Sequence, residues 1–130
     1  MSKKLIFGND KKIVEEPTWE DVYKELNRLG EPGYSFLYLE TKGIGSLTAG
    51  GGNYIEEKEE KLYHVSFFDL DADSTILLNP EGDPDEIHSL IIDDRLGDFF
   101  EEHLVGLPAV IKAFEHFYKT GKLTDQLNWE

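Results

Sequence analysis

The stretch Leu62-Tyr63-His64-Val65-Ser66-Phe67-Phe68 carries the clearest structural pattern in this chain. Successive side chains of a β-strand point to opposite faces of a sheet. Tyr63, Val65 and Phe67 therefore share one face, and the even-numbered residues share the other. Aromatic and β-branched residues favour extended backbone. The pattern predicts a β-strand over 62–68.

Segments with a similar composition lie on both sides of this strand. A run of glycines within Gly50–Asn53 is expected to interrupt one of them, since glycine favours turns and bulges. A loop is expected over Asn79–Pro84 because of its proline and glycine content. The remaining strand candidates are Tyr34–Glu40, Ser46–Ala49, Tyr54–Ile55, Thr75–Leu78 and His88–Ile92.

A helix is predicted near the N-terminus, after a short hairpin of Lys4–Phe7 and Lys11–Val14. Thr18 can cap the first backbone amides, and Asp21 occupies the position of a capping-box acid. The apolar residues then recur at helical spacing until Gly30. They are Trp19, Val22, Tyr23, Leu26 and Leu29.

A second helix is predicted near the C-terminus. Pro108 suits its first turn, where a missing amide costs nothing, and Gly121 suits its end. The tail after Gly121 is apolar enough that we expect it to fold back onto the core. Helix, strands and helix together predict an α+β fold, in which an antiparallel β-sheet meander carries both helices. We expect one domain over residues 1–130.

Composition places the chain among soluble globular proteins. Apolar residues make up 39% of its 130 residues, which is enough to bury a core. There is no cysteine, so disulfides and thiolate chemistry are excluded. The basic start Met1–Lys4 is followed by too short an apolar run for a secretory signal, and no run is long enough for a membrane span. We therefore expect a cytoplasmic protein.

The acidic residues are distributed unevenly. The formal net charge is −14, and twelve of the 27 acids lie between Asp69 and Glu102, where Arg95 is the only Lys or Arg. Such a surface attracts a positively charged partner and accelerates its association. Nucleic acid and anionic lipid are disfavoured as direct ligands, because binding them requires Lys and Arg. A solubilising surface is the alternative interpretation of the same charge.

Known ligand motifs fail in this chain. Asp69–Ser74 begins like a calcium-binding loop, but Ser74 and Pro80 stand where such a loop needs glycine and glutamate. The glycines within Gly43–Gly52 are not followed by the lysine and helix of a phosphate-binding loop. We expect no cofactor and no metal.

The histidines leave an enzyme open as an alternative. No HExxH or GxSxG motif occurs. Catalytic groups can nevertheless meet in space from distant positions. A small hydrolase or metal-dependent enzyme would use His64, His88 or His103 with nearby acids. We expect instead that the chain is not an enzyme.

Three regions together resemble bacterial polymorphic-toxin immunity proteins, of the family that includes antidotes to nucleic-acid deaminase toxins. The regions are the capped helix Thr18–Leu29, the segment Gly50–Tyr54, and the aromatic-rich end Ala109–Tyr118 with Gly121–Leu123 and Leu127–Glu130. The resemblance implies a cytosolic antitoxin that binds its cognate toxin and blocks the active site or substrate groove. It implies no catalytic residues.

Charge and resemblance lead to the same expected partner, a protein toxin with a basic groove for nucleic acid. An acidic adaptor or DNA-mimic regulator is the remaining alternative, and the oligomeric state is left open. Buried aromatic or arginine anchors usually stand at the centre of a tight interface. The predicted partner-binding residues are Asp69, Asp71, Asp73, Asp83, Asp85, Glu86, Asp93, Asp94, Arg95, Asp98, Phe99, Phe100, Glu101 and Glu102. For Phe99 and Phe100, ordinary core packing is the competing role.

Overall fold

The computed structural model describes residues 2–130 and has the predicted α+β fold, a mostly antiparallel sheet with two helices. The elements in chain order are β1 (Lys3–Phe7), β2 (Lys12–Glu15), α1 (Trp19–Leu26), β3 (Phe36–Thr41), β4 (Gly45–Ile55), β5 (Glu60–Asp69), β6 (Ser74–Leu78), β7 (Ile87–Ile92), β8 (Arg95–Phe100), a 3-10 helix (Glu101–His103), α2 (Leu107–Thr120) and β9 (Asn128–Trp129).

Seven strands form one sheet in the order β2-β1-β3-β4-β5-β6-β9, and β7 and β8 form a separate two-stranded hairpin. Every paired strand is antiparallel to its neighbour. Most neighbours in the sheet follow one another along the chain. The sheet is therefore largely the meander that the sequence predicts.

Both predicted helices form, and the start of α1 and the end of α2 are those that the capping residues indicate. The predicted end of α1 at Gly30 is wrong, because the helix ends at Leu26 and residues 27–30 form turns. The Thr18 hydroxyl accepts a hydrogen bond from the Asp21 amide at 3.1 Å, and the Asp21 carboxylate accepts one from the Thr18 amide at 2.9 Å. Gly121 ends α2 with φ of 74°, a left-handed conformation that glycine adopts without strain. Neither helix of residues 2–130 is long and apolar enough to cross a membrane.

The main core lies between the helices and one face of the sheet. Tyr63 and Val65 are buried there, and Phe67 packs edge-on against Phe117 of α2. The tail folds back as expected, because β9 pairs with β6 and the Trp129 indole donates to the Thr124 carbonyl at 3.0 Å.

The expected interruption of the strand at Gly50–Asn53 is wrong, because β4 runs unbroken through these residues. The register does shift between Gly51 and Asn53, and Gly51 and Gly52 have positive φ of 99° and 81°, as expected of a glycine bulge. The glycines also serve packing, because a Cβ on Gly50 would lie 2.7 Å from the Ile92 side chain. A Cβ on Gly51 would lie 3.0 Å from the Leu90 side chain. The absence of side chains lets the β7–β8 hairpin lie close against β4.

The hairpin packs on the sheet face opposite the helices. Gly50 pairs with His64, which alternates along β5 with the core residues Tyr63 and Val65. A small second cluster of buried Leu62, Leu90 and Leu104 fills the space between hairpin and sheet. The molecule therefore has three layers: helices, sheet and hairpin.

Candidate protein-binding face

The fourteen predicted contact residues are divided between the β5–β6 turn and the region of the β7–β8 hairpin. Asp69, Asp71 and Asp73 lie at or beyond the end of β5 that pairs with Gly45, whereas the hairpin packs over Gly50. These positions on β4 are about 17 Å apart at the rise of a β-strand. The acids at the β5–β6 turn are thus separated from those on the hairpin.

Asp69 has a local structural role in that turn. One of its carboxylate oxygens accepts hydrogen bonds from the amides of Asp71 at 2.9 Å and Asp73 at 3.1 Å. This arrangement stabilises the turn between β5 and β6. The side chains of Asp71 and Asp73 are exposed.

A second group of acids lies on the loop before β7. Asp83, Asp85 and Glu86 are exposed, and the Asp83 carboxylate accepts a hydrogen bond from the Asp85 amide at 2.9 Å. The loop is held against the 3-10 helix at Gly82, where a Cβ would lie 2.6 Å from the Glu101 carbonyl oxygen. These acids therefore have a defined position beside the base of the hairpin.

Glu101 lies inside the protein, which corrects its expected place on the binding surface. It is 4% exposed. One carboxylate oxygen lies 2.9 Å from both His88 Nε2 and Lys58 Nζ, and the other accepts a hydrogen bond from the Asp83 amide at 2.8 Å. The pKa of Glu101 is lowered from 4.5 to about 2. The main cause is the hydrogen bond with His88, and the hydrogen bonds from Asp83 and Lys58 add to it. The carboxylate holds the loop and hairpin base together.

The hairpin turn is anchored at its other end. Asp93 and Asp94 both have positive φ, 51° and 64°, as a two-residue type I′ turn requires. The Asp93 amide donates to the Ser35 hydroxyl at 2.8 Å, and the Asp93 carboxylate lies 3.3 Å from Lys11 Nζ. Asn9 donates to the Asp94 carboxylate at 2.6 Å. Polar contacts thus fix the turn against the β1–β2 hairpin and β3.

The two aromatic candidates point to opposite sides. Phe99 is half-buried against the second cluster, and its ring centroid is 4.9 Å from that of His64. Phe100 is exposed on the opposite face of the ribbon. Arg95 is exposed beside the turn, and Glu102 is half-buried 3.8 Å from His103. Only Phe100 of the two aromatics is open to a partner.

The face of the hairpin that points away from the sheet is largely apolar. We call the six residues there the outer face: Ile87, Ser89, Ile91, Leu96, Asp98 and Phe100. Ile87 pairs with Phe100, and Ile91 pairs with Leu96. Ile87 is 54% exposed, Phe100 is 45% exposed, Ile91 is 45% exposed and Leu96 is 72% exposed. Between the two apolar pairs, Ser89 donates to the Asp98 carboxylate at 2.6 Å.

The aliphatic part of this face was not predicted from the sequence. A strand was predicted over His88–Ile92, but none over Arg95–Phe100. Neither run alternates regularly between apolar and polar residues, so the two-residue Asp-Asp spacing between them was the main signal for a hairpin. Antiparallel pairing across this turn places Ile87, Ile91 and Leu96 on one side.

The histidines do not converge on a reaction centre. His88 is buried against Glu101, His64 packs on Phe99, and His103 lies 3.3 Å from the Glu130 carboxylate. Burial lowers the pKa of His64, and the nearby His103 adds to this effect. Within residues 2–130, no group of three or more histidines and acids is arranged to hold a metal ion.

Four depressions of about 250–480 Å³ lie on the surface formed by residues 2–130. None of the four is lined by His64, His88 or His103. A bound small substrate usually needs a concave pocket with convergent polar groups. The outer face of the hairpin lines none of the four depressions, and its exposed apolar side chains are typical of a surface that contacts another macromolecule.

The chain matches no protein-family model, and no curated protein is significantly similar to it in sequence.

Proposed function

We propose that this protein is a binding module that grips a basic partner protein with the outer face of its β7–β8 hairpin. The observation that carries the proposal is the exposure of four large apolar side chains, Ile87, Ile91, Leu96 and Phe100, on one two-stranded ribbon. Contiguous exposed apolar surface with a polar rim is typical of protein interaction sites.

The charge around this face specifies the kind of partner. Asp98 lies within it, Asp93 and Asp94 lie at its tip, and Asp85 and Glu86 precede its first residue. Arg95 is the only Lys or Arg in the hairpin. Two exposed apolar pairs with an acid between them and further acids at both ends favour a protein that presents apolar residues among lysines and arginines. The same charge disfavours nucleic acid and anionic membrane as direct ligands.

The particular function we propose is that of a cytoplasmic immunity protein, which neutralises a cognate bacterial toxin. The resemblance of the helix, glycine segment and C-terminus to such proteins supports this choice. A toxin that acts on nucleic acid needs a basic groove for phosphate. The acidic hairpin with its two exposed apolar pairs would occupy that groove and exclude the substrate. An acidic adaptor or DNA-mimic regulator would use the same face on a different protein.

The test is co-expression with the toxin domain encoded beside the gene. Wild-type protein is expected to bind the toxin and restore growth, with affinity that falls as salt rises. The double variant Leu96→Lys, Asp98→Lys changes the outer face and should weaken binding at least about 30-fold, as loss of an interface hot spot does.

The matched control is Leu70→Lys, Asp71→Lys at the β5–β6 turn, since Leu70 is 70% exposed and Leu96 is 72% exposed. The control should protect cells like wild type. If the Leu96→Lys, Asp98→Lys variant protects cells and the control variant does not, the interface lies elsewhere on the protein. A wild-type protein that neither binds the toxin nor protects cells would refute the immunity function.

A further inference from the structure

We infer that the partner binds by adding a β-strand to the free edge of β8, an inference that rests on the proposed function of the hairpin. Within residues 2–130, β8 pairs with β7 on one side and with no strand on the other. Strand addition at such an edge supplies affinity through main-chain hydrogen bonds, and side chains supply the specificity.

The turn geometry identifies the backbone groups that point outward. A two-residue type I′ turn makes its flanking residues Ile92 and Arg95 a hydrogen-bonded pair. Pairing then alternates, so Gly97 and Phe99 also bond to β7, whereas Leu96 and Asp98 direct their amides and carbonyls away from it. No hydrogen bond within residues 2–130 uses the Leu96 or Asp98 amide outside the hairpin.

The edge of β8 lacks most of the devices that protect sheet edges, although it carries the charged residues Arg95 and Asp98. Natural edge strands are usually short, bulged, covered, or rich in lysine and proline. β8 has six residues in unbroken register with β7 and contains no lysine or proline. The edges of the main sheet are better protected, because β2 has four residues including Lys12, and β9 has two.

The opposite edge of the hairpin is partly covered by the main sheet. There the Ile91 amide of β7 donates to the Asn53 side-chain oxygen of β4 at 3.0 Å. The β8 edge has no such contact within residues 2–130, and it adjoins the exposed apolar residues Leu96 and Phe100. Main-chain and apolar binding groups thus lie on the same strand.

Charge excludes a second copy of this chain as the preferred occupant. Each copy carries a formal charge of −14, and pairing two β8 strands would bring the acids of both hairpins together. Like charges on adjacent strands oppose pairing. The complementary occupant is a strand with a lysine or arginine opposite Asp98 and apolar residues opposite Leu96 and Phe100. Its expected pattern is apolar-x-Lys/Arg-x-apolar.

The test uses a display library of random nine-residue peptides selected against the full-length protein. Peptides with the expected pattern should be enriched. The key comparison is Leu96→Ala with Leu96→Pro. Both variants remove the leucine side chain, whereas only proline also removes the backbone N–H that points away from β7. The proline variant should bind the selected peptides at least about tenfold more weakly than the alanine variant, since it lacks a main-chain donor.

Amide hydrogen exchange measured by NMR tests directly whether the peptide pairs with β8 as an added strand. The Leu96 and Asp98 amides should exchange rapidly in the free protein and become protected in the peptide complex. Protection of the Leu90 amide from exchange shows whether the hairpin still forms in the Leu96→Pro variant. If the hairpin does not form there, Asp98→Pro is compared with Asp98→Ala in the same way.

Two sets of results would overturn strand addition. The first is that no peptides with the expected pattern are enriched, or that the proline and alanine variants bind the selected peptides equally well. The second is that the wild type dimerises reversibly and the Leu96→Pro variant does not, which would make a second copy the occupant of the edge. Each leaves the toxin-protection assay to decide the proposed function separately, since a partner could contact the outer face through side chains alone.

Discussion

The main sheet and the β7–β8 hairpin are held in place by different forces. The sheet shares a continuous apolar core with both helices, in which Phe114 and Phe117 are fully buried. The hairpin rests on a small cluster around Leu90 and on polar anchors at both ends, Glu101 at its base and Ser35 at its turn. A region anchored by its inner face and ends can leave its outer face apolar and exposed. The sheet and helices thus provide most of the stability, and the hairpin layer provides the proposed binding surface.

The largest effect is expected from breaking the main core. Phe114→Ala should lower the free energy of unfolding by about 3–5 kcal/mol, because it removes a fully buried ring and leaves a cavity. Chemical denaturation followed by circular dichroism measures this loss. The helices and the sheet should unfold together, since both contribute to this core.

Leu90→Ala is the counterpart of that variant in the hairpin. Its side chain is equally inaccessible but lies in the smaller cluster. Amides of β7 and β8 should lose hydrogen-exchange protection while those of β4 and β5 keep theirs. Equal loss of protection in both regions would mean that the hairpin and the sheet form one cooperative unit.

An intermediate effect is expected at the base of the hairpin. Glu101→Gln should cost about 2–3 kcal/mol near neutral pH, because it weakens buried, charge-assisted hydrogen bonds to His88 and Lys58. The pKa of the carboxyl is lowered from 4.5 to about 2, so its ionised form stabilises the folded state. That contribution is complete above pH 4.5 and is lost as the pH falls towards 2.

The measurement is the free energy of unfolding of wild type and Glu101→Gln between pH 2 and pH 7. The difference between them should shrink with acidification over the window from 4.5 to about 2. Glu81→Gln is the control, since Glu81 is an exposed acid of the same loop. A difference that stays constant across this pH range would contradict the ionic role of Glu101.

The smallest effect is expected at the turn. Ser35→Ala removes the hydroxyl that accepts from the Asp93 amide and donates to Asn9, which should cost about 1 kcal/mol. Exchange of the Asp93 amide should accelerate, while the main core stays protected. Ser46→Ala, a half-buried serine with no side-chain hydrogen bond within residues 2–130, is the comparison. Indistinguishable stability of the two variants would show that the turn is held by the Lys11–Asp93 ion pair, the Asn9–Asp94 hydrogen bond and packing.

Most of the main sheet was predictable from local patterns. Alternation identified β5, helical spacing and capping identified α1 and α2, and the apolar tail indicated its return to the core. β8 was missed because Gly97 and Asp98 have low strand propensity and Arg95–Phe100 lies within the acid-rich stretch. Its pairing with β7 through a tight turn outweighs those propensities. The glycines of β4 were misjudged because their packing role depends on a hairpin some forty residues away along the chain.

The candidate site was predictable only in part. The sequence indicated an acid-rich segment and its preference for a basic partner. It did not separate the carboxylates at the β5–β6 turn from those on the hairpin, and it placed the buried Glu101 on the surface. The lowered pKa of Glu101 depends on Lys58 and His88, which approach it from other elements. Such a site is assembled by long-range contacts.

Residue order alone settled the α+β class, the existence of both helices, the alternation of β5 and the strongly acidic character, because each depends on neighbours within a few positions. Tertiary packing decided which side of the hairpin faces outward. Leu90 and Phe99 turn inward because Gly50 and Gly51 leave room for the hairpin on β4, and the alternation of a strand then directs Ile91 and Leu96 to solvent. Contacts between distant segments, which local patterns do not encode, therefore create the surface on which the proposed function depends.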